Sequence, residues 1–212
     1  YVDSADVDRV SSLLAAGVVH GVTTNPTILE RGGRTAAEIP ELYARWAGEG
    51  AREIFFQTWG GDASSLLRNA EGIRALGDRV VVKVPATRDG FAAASALVRD
   101  GATVLVTAVY SVAQALVCAS IGAQYIAPYL GRMRDAGIDG DAVIARMQGM
   151  CAGSDSNVLA ASLRSPDDIT GLRLAGVPYF TAAPDVIEQM LFHGVSDSSA
   201  AEFDAAMVRL GA

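Results

Sequence analysis

The stretch Val80-Val81-Val82-Lys83-Val84-Pro85 sets one amine inside a run of β-branched residues. Such a run reads as a strand covered on both faces, the kind that builds parallel sheets. The seventeen basic side chains of the 212 residues comprise this one lysine and sixteen arginines. Lysine is rarely buried without a partner or a task. Desolvation disfavours its charged form and lowers its pKa, and a neutral amine is a nucleophile toward carbonyls. The plainer alternative is an edge-strand lysine whose amine snorkels to water.

Outward from this strand, similar short apolar runs recur near 1–3, 18–24, 53–59, 103–109, 125–129, 157–161 and 178–182, which makes eight with 79–85. Ala-, Leu- and Arg-rich stretches of helical period separate them. In Asp62–Leu76, residues Leu66, Leu67, Ala70, Ile73 and Leu76 fall on one helix face. Ser4 and Asp6, Asp62, and Ser165-Pro166 mark helix starts, while Gly50, Gly101 and Gly122 close helices or the turns after them. Strands alternating with helices imply a parallel sheet, and eight such units in this length fit an α/β fold, a (β/α)₈ TIM barrel forming one domain over 1–212. An open doubly wound sheet is the alternative. It usually carries Gly-x-Gly-x-x-Gly after its first strand, and this chain does not. The stretch Asp197–Leu210 reads as an additional C-terminal helix. Met207 and Leu210 give it an apolar stripe to pack on the barrel or on a neighbouring subunit.

A net charge of −7 and a pI near 4.8 argue against a nucleic-acid partner. They leave room for an anionic substrate, because a few local arginines suffice to hold a phosphate. Cys118 and Cys151 lie in apolar, helix-like surroundings and read as free buried thiols. The hydrophobic segment Val109–Leu130 is broken by Ser111, Gln114, Ser120, Gln124 and Pro128, so it reads as a core helix and a strand, with no membrane partner. No signal or transit peptide is apparent, and the expectation is a soluble cytoplasmic protein.

Barrel enzymes place their chemistry at the C-terminal ends of the strands. Here those ends carry Asp3, then Thr23-Thr24-Asn25-Pro26, then Gln57-Thr58-Trp59, Lys83, Thr107, Tyr129 with Arg132, Ser162 with Arg164, and Thr181. Each alone has an ordinary reading. Asp3 suits a helix N-cap, Thr-Thr-Asn-Pro a turn, the arginines solvated surface, Tyr129 the core. Together they converge on one rim, above strands whose bodies are apolar. A neutral lysine forms an imine with a ketone, and the protonated imine draws electrons from the carbon–carbon bond two atoms away. Asp3 and Tyr129 are candidate bases for the departing hydroxyl, directly or through water. Arg132 and Arg164 with Ser162 suit a phosphate. Only His20 and His193 exist, read as structural, and no His- or Cys-rich cluster is present, which disfavours a metal-dependent aldolase.

These residues carry a resemblance. Val2-Asp3-Ser4, Gly21-Val22-Thr23-Thr24-Asn25-Pro26, Val81-Val82-Lys83-Val84-Pro85, Thr107-Ala108-Val109-Tyr110, Ala127-Pro128-Tyr129, Arg132 and Leu159-Ala160-Ala161-Ser162 make the chain resemble the small transaldolases and fructose-6-phosphate aldolases. The resemblance implies a Schiff base on Lys83 with C2 of a ketose phosphate. It gives Asp3 to hydroxyl positioning and proton transfer, Thr107 and Gln57 to the catalytic water, and Tyr129 to the same relay. It gives Thr23 and Asn25 to the dihydroxyacetone end, and Arg132, Ser162 and Arg164 to the phosphate. It implies no metal or organic cofactor, small sugar phosphates and aldehydes as partners, and a homo-oligomer, pentamer or decamer.

Within the resemblance, transaldolases typically have Glu at the position of Gln57 and Phe at that of Tyr129, so this chain leans toward aldolase. Arg134–Asp141, Gly149–Ser156, Ala183 and the Gln57-Thr58-Trp59-Gly60 string depart from the expected pattern, and Trp59 either narrows the pocket or packs. A true transaldolase, in a specialised sugar pathway for example, stays open. A catalytically silent phosphosugar-binding barrel predicts loss of the amine or the base, and both are present.

Overall fold

The computed structural model describes residues 1–212. Its strands are β1 (Val2–Asp3), β2 (Gly21–Thr23), β3 (Glu53–Gln57), β4 (Val80–Pro85), β5 (Val104–Val109), β6 (Tyr125–Pro128), β7 (Asn157–Leu163) and β8 (Tyr179–Ala182). They pair in parallel in chain order, and β8 closes on β1 through Ala182 and Val2. The helices are α1 (Val7–Ala15), α2 (Pro26–Arg31), α3 (Ile39–Gly48), α4 (Ala63–Arg74), α5 (Arg88–Arg99), α6 (Val112–Ile121), α7 (Leu130–Asp135), α8 (Gly140–Met150), α9 (Pro166–Leu174), α10 (Pro184–Leu191) and α11 (Gly194–Arg209). This is the closed (β/α)₈ barrel, not the open sheet. Two connections, after β2 and after β6, carry two helices each.

Strand alternation divides the apolar residues into two sets. Phe55, Val81, Leu105, Tyr125, Ala127 and Leu159 fill the barrel interior. Their neighbours in sequence, such as Phe56, Val82, Val106, Ile126 and Val158, belong to the larger core between strands and helices. Lys83 has the parity of Val81, so it points inward, one layer above it. The run from Val80 to Val84 is buried throughout, which is why it shows no alternation in sequence.

Two strands break their alternation near the rim. Ala108 and Ser162 are the non-glycine residues with left-handed backbone, at φ 59° and 57°. The register shifts at the same places, between Thr107 and Val109 and between Ala160 and Leu163. Each is a bulge that inserts a residue and re-aims the side chains after it. Thr107 and Ala161 face the barrel axis, whereas Val109 and Leu163 pack outward among the helices.

Helix starts obey the expected chemistry. Asp6, Asp62 and Ser165 accept from backbone N–H groups at the starts of α1, α4 and α9. Asp3 is not such a cap and lies on β1. The Val109–Leu130 segment supplies α6 and β6, and no helix is long and apolar enough to cross a membrane. Cys118 and Cys151 are free and buried. The C-terminal helix begins at Gly194, earlier than expected, because His193 accepts from the Val195 N–H. It buries no residue, and Phe203, Met207, Val208 and Leu210 face solvent.

The turn after Lys83 depends on Gly90. A Cβ there would sit 1.8 Å from the Pro85 carbonyl oxygen. Gly90→Ala is expected to destabilise by about 1–3 kcal/mol, lowering the melting temperature by roughly 2–4 °C per kcal/mol in a chain this size. Gly72, within α4, has nothing within 4 Å of its would-be Cβ. Gly72→Ala is expected to raise the melting temperature, through about 0.5–1 kcal/mol of helix propensity. Calorimetry on both variants checks the contrast, and equal shifts would remove Gly90 from its role.

Candidate active site

Lys83 is 4% exposed, and its Nζ donates to the Thr24 carbonyl at 2.6 Å. That carbonyl is held in place from β3: the Thr24 N–H and hydroxyl both donate to the Phe55 carbonyl, at 3.1 and 2.9 Å. Asp3, at the end of β1, accepts from the Thr23 hydroxyl at 2.6 Å, and Thr181 Oγ1 lies 2.6 Å from Thr23 Oγ1. Since each hydroxyl has one proton, Thr23 gives its own to Asp3 and accepts from Thr181. The chain thus delivers its donors toward the carboxylate.

Burial sets the protonation of this pair. Desolvation pulls the Lys83 amine below its ordinary value, and the charge of Asp3 opposes that. Desolvation pushes Asp3 up, opposed by Lys83 and by the Thr23 hydrogen bond. Both groups are therefore driven toward their neutral forms. The unfolded chain holds the Lys83 proton more tightly than the fold does. This group therefore makes the fold more stable as pH rises from its lowered folded value toward the ordinary lysine value.

Tyr129 comes directly after β6 and pairs with Ala161 of β7 in an isolated bridge. Its hydroxyl shares a 2.7 Å hydrogen bond with the buried Thr107 hydroxyl. Burial raises the Tyr129 phenol, and the Thr107 hydrogen bond offsets part of that. Tyr110 meets the ring edge-on, and the Arg132 guanidinium lies 5.1 Å from its centroid. Gly131 allows the turn before Arg132 to press on β7: a Cβ there would come within 2.9 Å of Ser162 Oγ and 2.7 Å of Arg164 Nε.

A cavity of about 310 Å³ opens above Lys83 and reaches the rim. Asp3, Thr23, Asn25, Tyr129, Arg132, Ser162 and Arg164 all border it. Three of the expected site residues are engaged or placed elsewhere in the structure. Arg164 is not a free anion donor, because its guanidinium is closed on Asp135 by two bonds of 2.8 and 2.5 Å. Asn25 caps α2, its Oδ1 accepting from the Ile28 N–H at 2.9 Å, so only its amide donors remain for the cavity. Gln57 pairs with Lys83 in register but is half-buried beside a separate cleft with Pro26 and Trp59. Trp59 itself is 46% exposed in that cleft and does not narrow the Lys83 cavity.

The sequence reading misses Arg31 and Asp135, both of which border the cavity. Asp135 falls in the divergent Arg134–Asp141 segment. That it meets Arg164, twenty-nine residues on, comes from how α7 folds back and has no local signal. Arg31 looks in sequence like any surface arginine.

A family model described as transaldolase/fructose-6-phosphate aldolase matches residues 1–211. The chain belongs to that family. It is an enzyme of the aldolase/transaldolase type. A probable transaldolase of Hyphomonas neptunium is 35% identical over all of this chain and 97% of its own length. One from Cereibacter sphaeroides is 35% identical, over all of this chain and 96% of its own length, and one from Maridesulfovibrio salexigens is 34% identical over 97% and 95%. Among solved structures, thiamine phosphate pyrophosphorylase from Pyrococcus furiosus aligns with a TM-score of 0.62 at 17% identity, covering 88% of this chain and 86% of that one. Mandelate oxidase aligns with a TM-score of 0.62 at 16% identity, covering 86% of this chain and 60% of that one. At such identities these two show the barrel alone.

The single lysine makes the electrostatics of this enzyme directly readable. With lysine labelled at ¹⁵Nζ, one amine resonance is expected. Its titration midpoint is expected below the ordinary 10.5 of lysine. Asp3→Asn is expected to move it lower still, because Asp3 supplies the charge that holds the proton on Lys83. A midpoint at or above the ordinary value, or a rise in the variant, would contradict the burial account.

Proposed function

We propose that the protein is a cofactor-independent class I aldolase or transaldolase acting on ketose phosphates such as fructose 6-phosphate through a Lys83 Schiff base. The observation that carries this reading is the buried amine at the floor of a cavity that also holds Asp3, Tyr129 and Arg132. The neutral Lys83 amine attacks C2, and loss of water leaves the protonated imine. A base, Asp3 or Tyr129 with Thr107 and a water, takes the C4 hydroxyl proton. The C3–C4 bond breaks, the aldehyde leaves, and its electron pair remains as an enamine on Lys83. Protonation at C3 and hydrolysis release dihydroxyacetone, while attack on an acceptor aldehyde transfers it.

The resemblance at Gln57 and Tyr129 leans toward release, with Tyr129 the one of the two that borders the Lys83 cavity. A specific finding favours transfer as the second reading: the relatives from Hyphomonas, Cereibacter and Maridesulfovibrio are all named probable transaldolases. Substrate orientation falls to Thr23 and Asn25, and the phosphate to Arg132 and Ser162, with Arg164 joining if it leaves Asp135. The working setting is the cytoplasm.

Borohydride reduction in the presence of fructose 6-phosphate, with intact mass as the readout, tests the mechanism. A single adduct is expected, and it should vanish in Lys83→Met. No adduct, or one that survives the substitution, sinks the Schiff base. Free dihydroxyacetone is expected with and without an added acceptor aldehyde; release that requires the acceptor would hand the case to transfer.

The proposal includes a homo-oligomer, pentamer or decamer, since α11 buries nothing on its own barrel yet exposes Phe203, Met207 and Val208. In such an assembly α11 packs on a neighbouring copy. Sedimentation of the full chain should show the assembly, and Phe203→Asp with Val208→Asp should reduce its mass. A monomer in both cases would refute it.

A further inference from the structure

Carboxylates engage Arg9, Arg34, Arg45, Arg74, Arg134 and Arg164 in ion pairs. Two arginines face the Lys83 cavity without such a partner, Arg31 and Arg132. They stand on opposite walls. Arg31 closes α2, the helix after β2, and Arg132 lies in α7, the helix after β6. In a closed ring of eight strands, β2 and β6 are four places apart and face each other across the mouth. Strand β4, which carries Lys83, lies midway between them. The amine therefore rises from the floor between two cations set on opposite sides.

The wall around Arg31 offers donors. Thr27 borders the cavity there, and Asn25, also in the lining, has its oxygen committed to the Ile28 N–H, which leaves its amide nitrogen as the group able to serve a ligand. Two carboxylates border the whole cavity. Asp135 is neutralised by Arg164, and Asp3 lies at the end of β1 bound by Thr23. On the cavity side of α2 no carboxylate pairs with Arg31; Glu30, its neighbour on the helix, borders the separate cleft with Trp59. One phosphate, held by Arg132 and Ser162, leaves Arg31 unused.

We propose that the enzyme accepts substrates anionic at both ends, a ketose bisphosphate or its dihydroxyacetone phosphate half, with Arg31 binding the phosphate on the C1 side of the Schiff-base carbon. This rests on the Schiff-base reading above. C2 must reach Lys83, the long arm of the sugar runs toward Arg132, and the short C1 arm runs the opposite way, toward β2. Arginine is suited to this position because its planar fork can bind two phosphate oxygens at once.

The test compares fructose 6-phosphate with fructose 1,6-bisphosphate by borohydride trapping and by initial rates, on the wild-type chain, Arg31→Ala and Arg31→Lys. Wild type should trap and cleave both. Arg31→Ala should lower the bisphosphate-to-monophosphate ratio of kcat/KM by tenfold or more, and Arg31→Lys should restore part of it. Arg132→Ala should depress both substrates without that change in ratio. If fructose 6-phosphate traps and the bisphosphate does not, the proposal fails and the Schiff base stands. A ratio that Arg31→Ala leaves unchanged also overturns it. If neither sugar traps, the Schiff-base reading itself falls and takes this proposal with it.

Discussion

Lys83 is an amine held away from water by apolar neighbours, and much of the rim is arranged around that burial. Removing an ammonium from water costs on the order of several kcal/mol even after relaxation. An ammonium has three donors, and the structure gives it one acceptor, the Thr24 carbonyl. Its one opposing charge, Asp3, is itself driven toward neutrality by the same burial. A fold built to keep this lysine charged would surround it with carboxylates and carbonyls. This one supplies little more than enough to place the nitrogen. The electrostatic arrangement favours the nucleophile over the cation, and placement falls to the backbone just after β2, itself fixed by β3.

The second constraint is conformational. A residue in the left-handed region costs roughly 1–2 kcal/mol, and here Ala108 and Ser162 adopt it without being glycine. They flank β6 from either side, on β5 and β7. The bulge on β5 comes after Thr107, which binds the Tyr129 hydroxyl, and the bulge on β7 comes after Ala161, which bridges the Tyr129 backbone. Regular strands would continue the alternation and turn Val109 and Leu163 into the barrel mouth. The bulges turn those side chains back toward the helices, so that Val109 leaves the cavity and Leu163 only borders it, beside Tyr129, Ser162 and Arg132. Strain and site coincide because the same extra residue that breaks the ladder opens the cavity.

The barrel was legible because its signal is redundant: eight apolar runs, each separated by a helical period, leave few topologies. Lys83 was legible because composition isolates it. Directions at the rim were less so. Gln57 ends β3 and Trp59 follows two residues later, yet both border a cleft outside the Lys83 cavity, and sequence alone cannot say where a strand end turns. Run boundaries blurred for a similar reason. Val18 and Val19 extend the apolar run before β2, but they precede the strand, after Gly17 at φ 69°. Residue type alone points Arg164 at an anion, and its partner Asp135 lies in another connection. Arg31 needed the circular order of the strands before its position acquired meaning.

The Thr107–Tyr129 pair shows how little must move for the proposed chemistry to run both ways. Two hydroxyls 2.7 Å apart share one hydrogen bond and retain one unshared proton between them. If Thr107 donates, the phenol proton is free to point into the cavity. If Tyr129 donates, its oxygen is committed as a donor and its lone pairs face the substrate as acceptors. Exchange between these arrangements needs rotation of two hydroxyl hydrogens and no displacement of a heavy atom. Burial keeps the phenol protonated in either case, so Tyr129 can deliver or receive a proton without becoming a stable phenolate. Carbon–carbon cleavage requires a base at the C4 oxygen, and its reversal requires an acid at the same oxygen. A neutral hydroxyl pair that switches between donor and acceptor meets both requirements from one position, with the bulge at Ala108 holding Thr107 where the switch can occur.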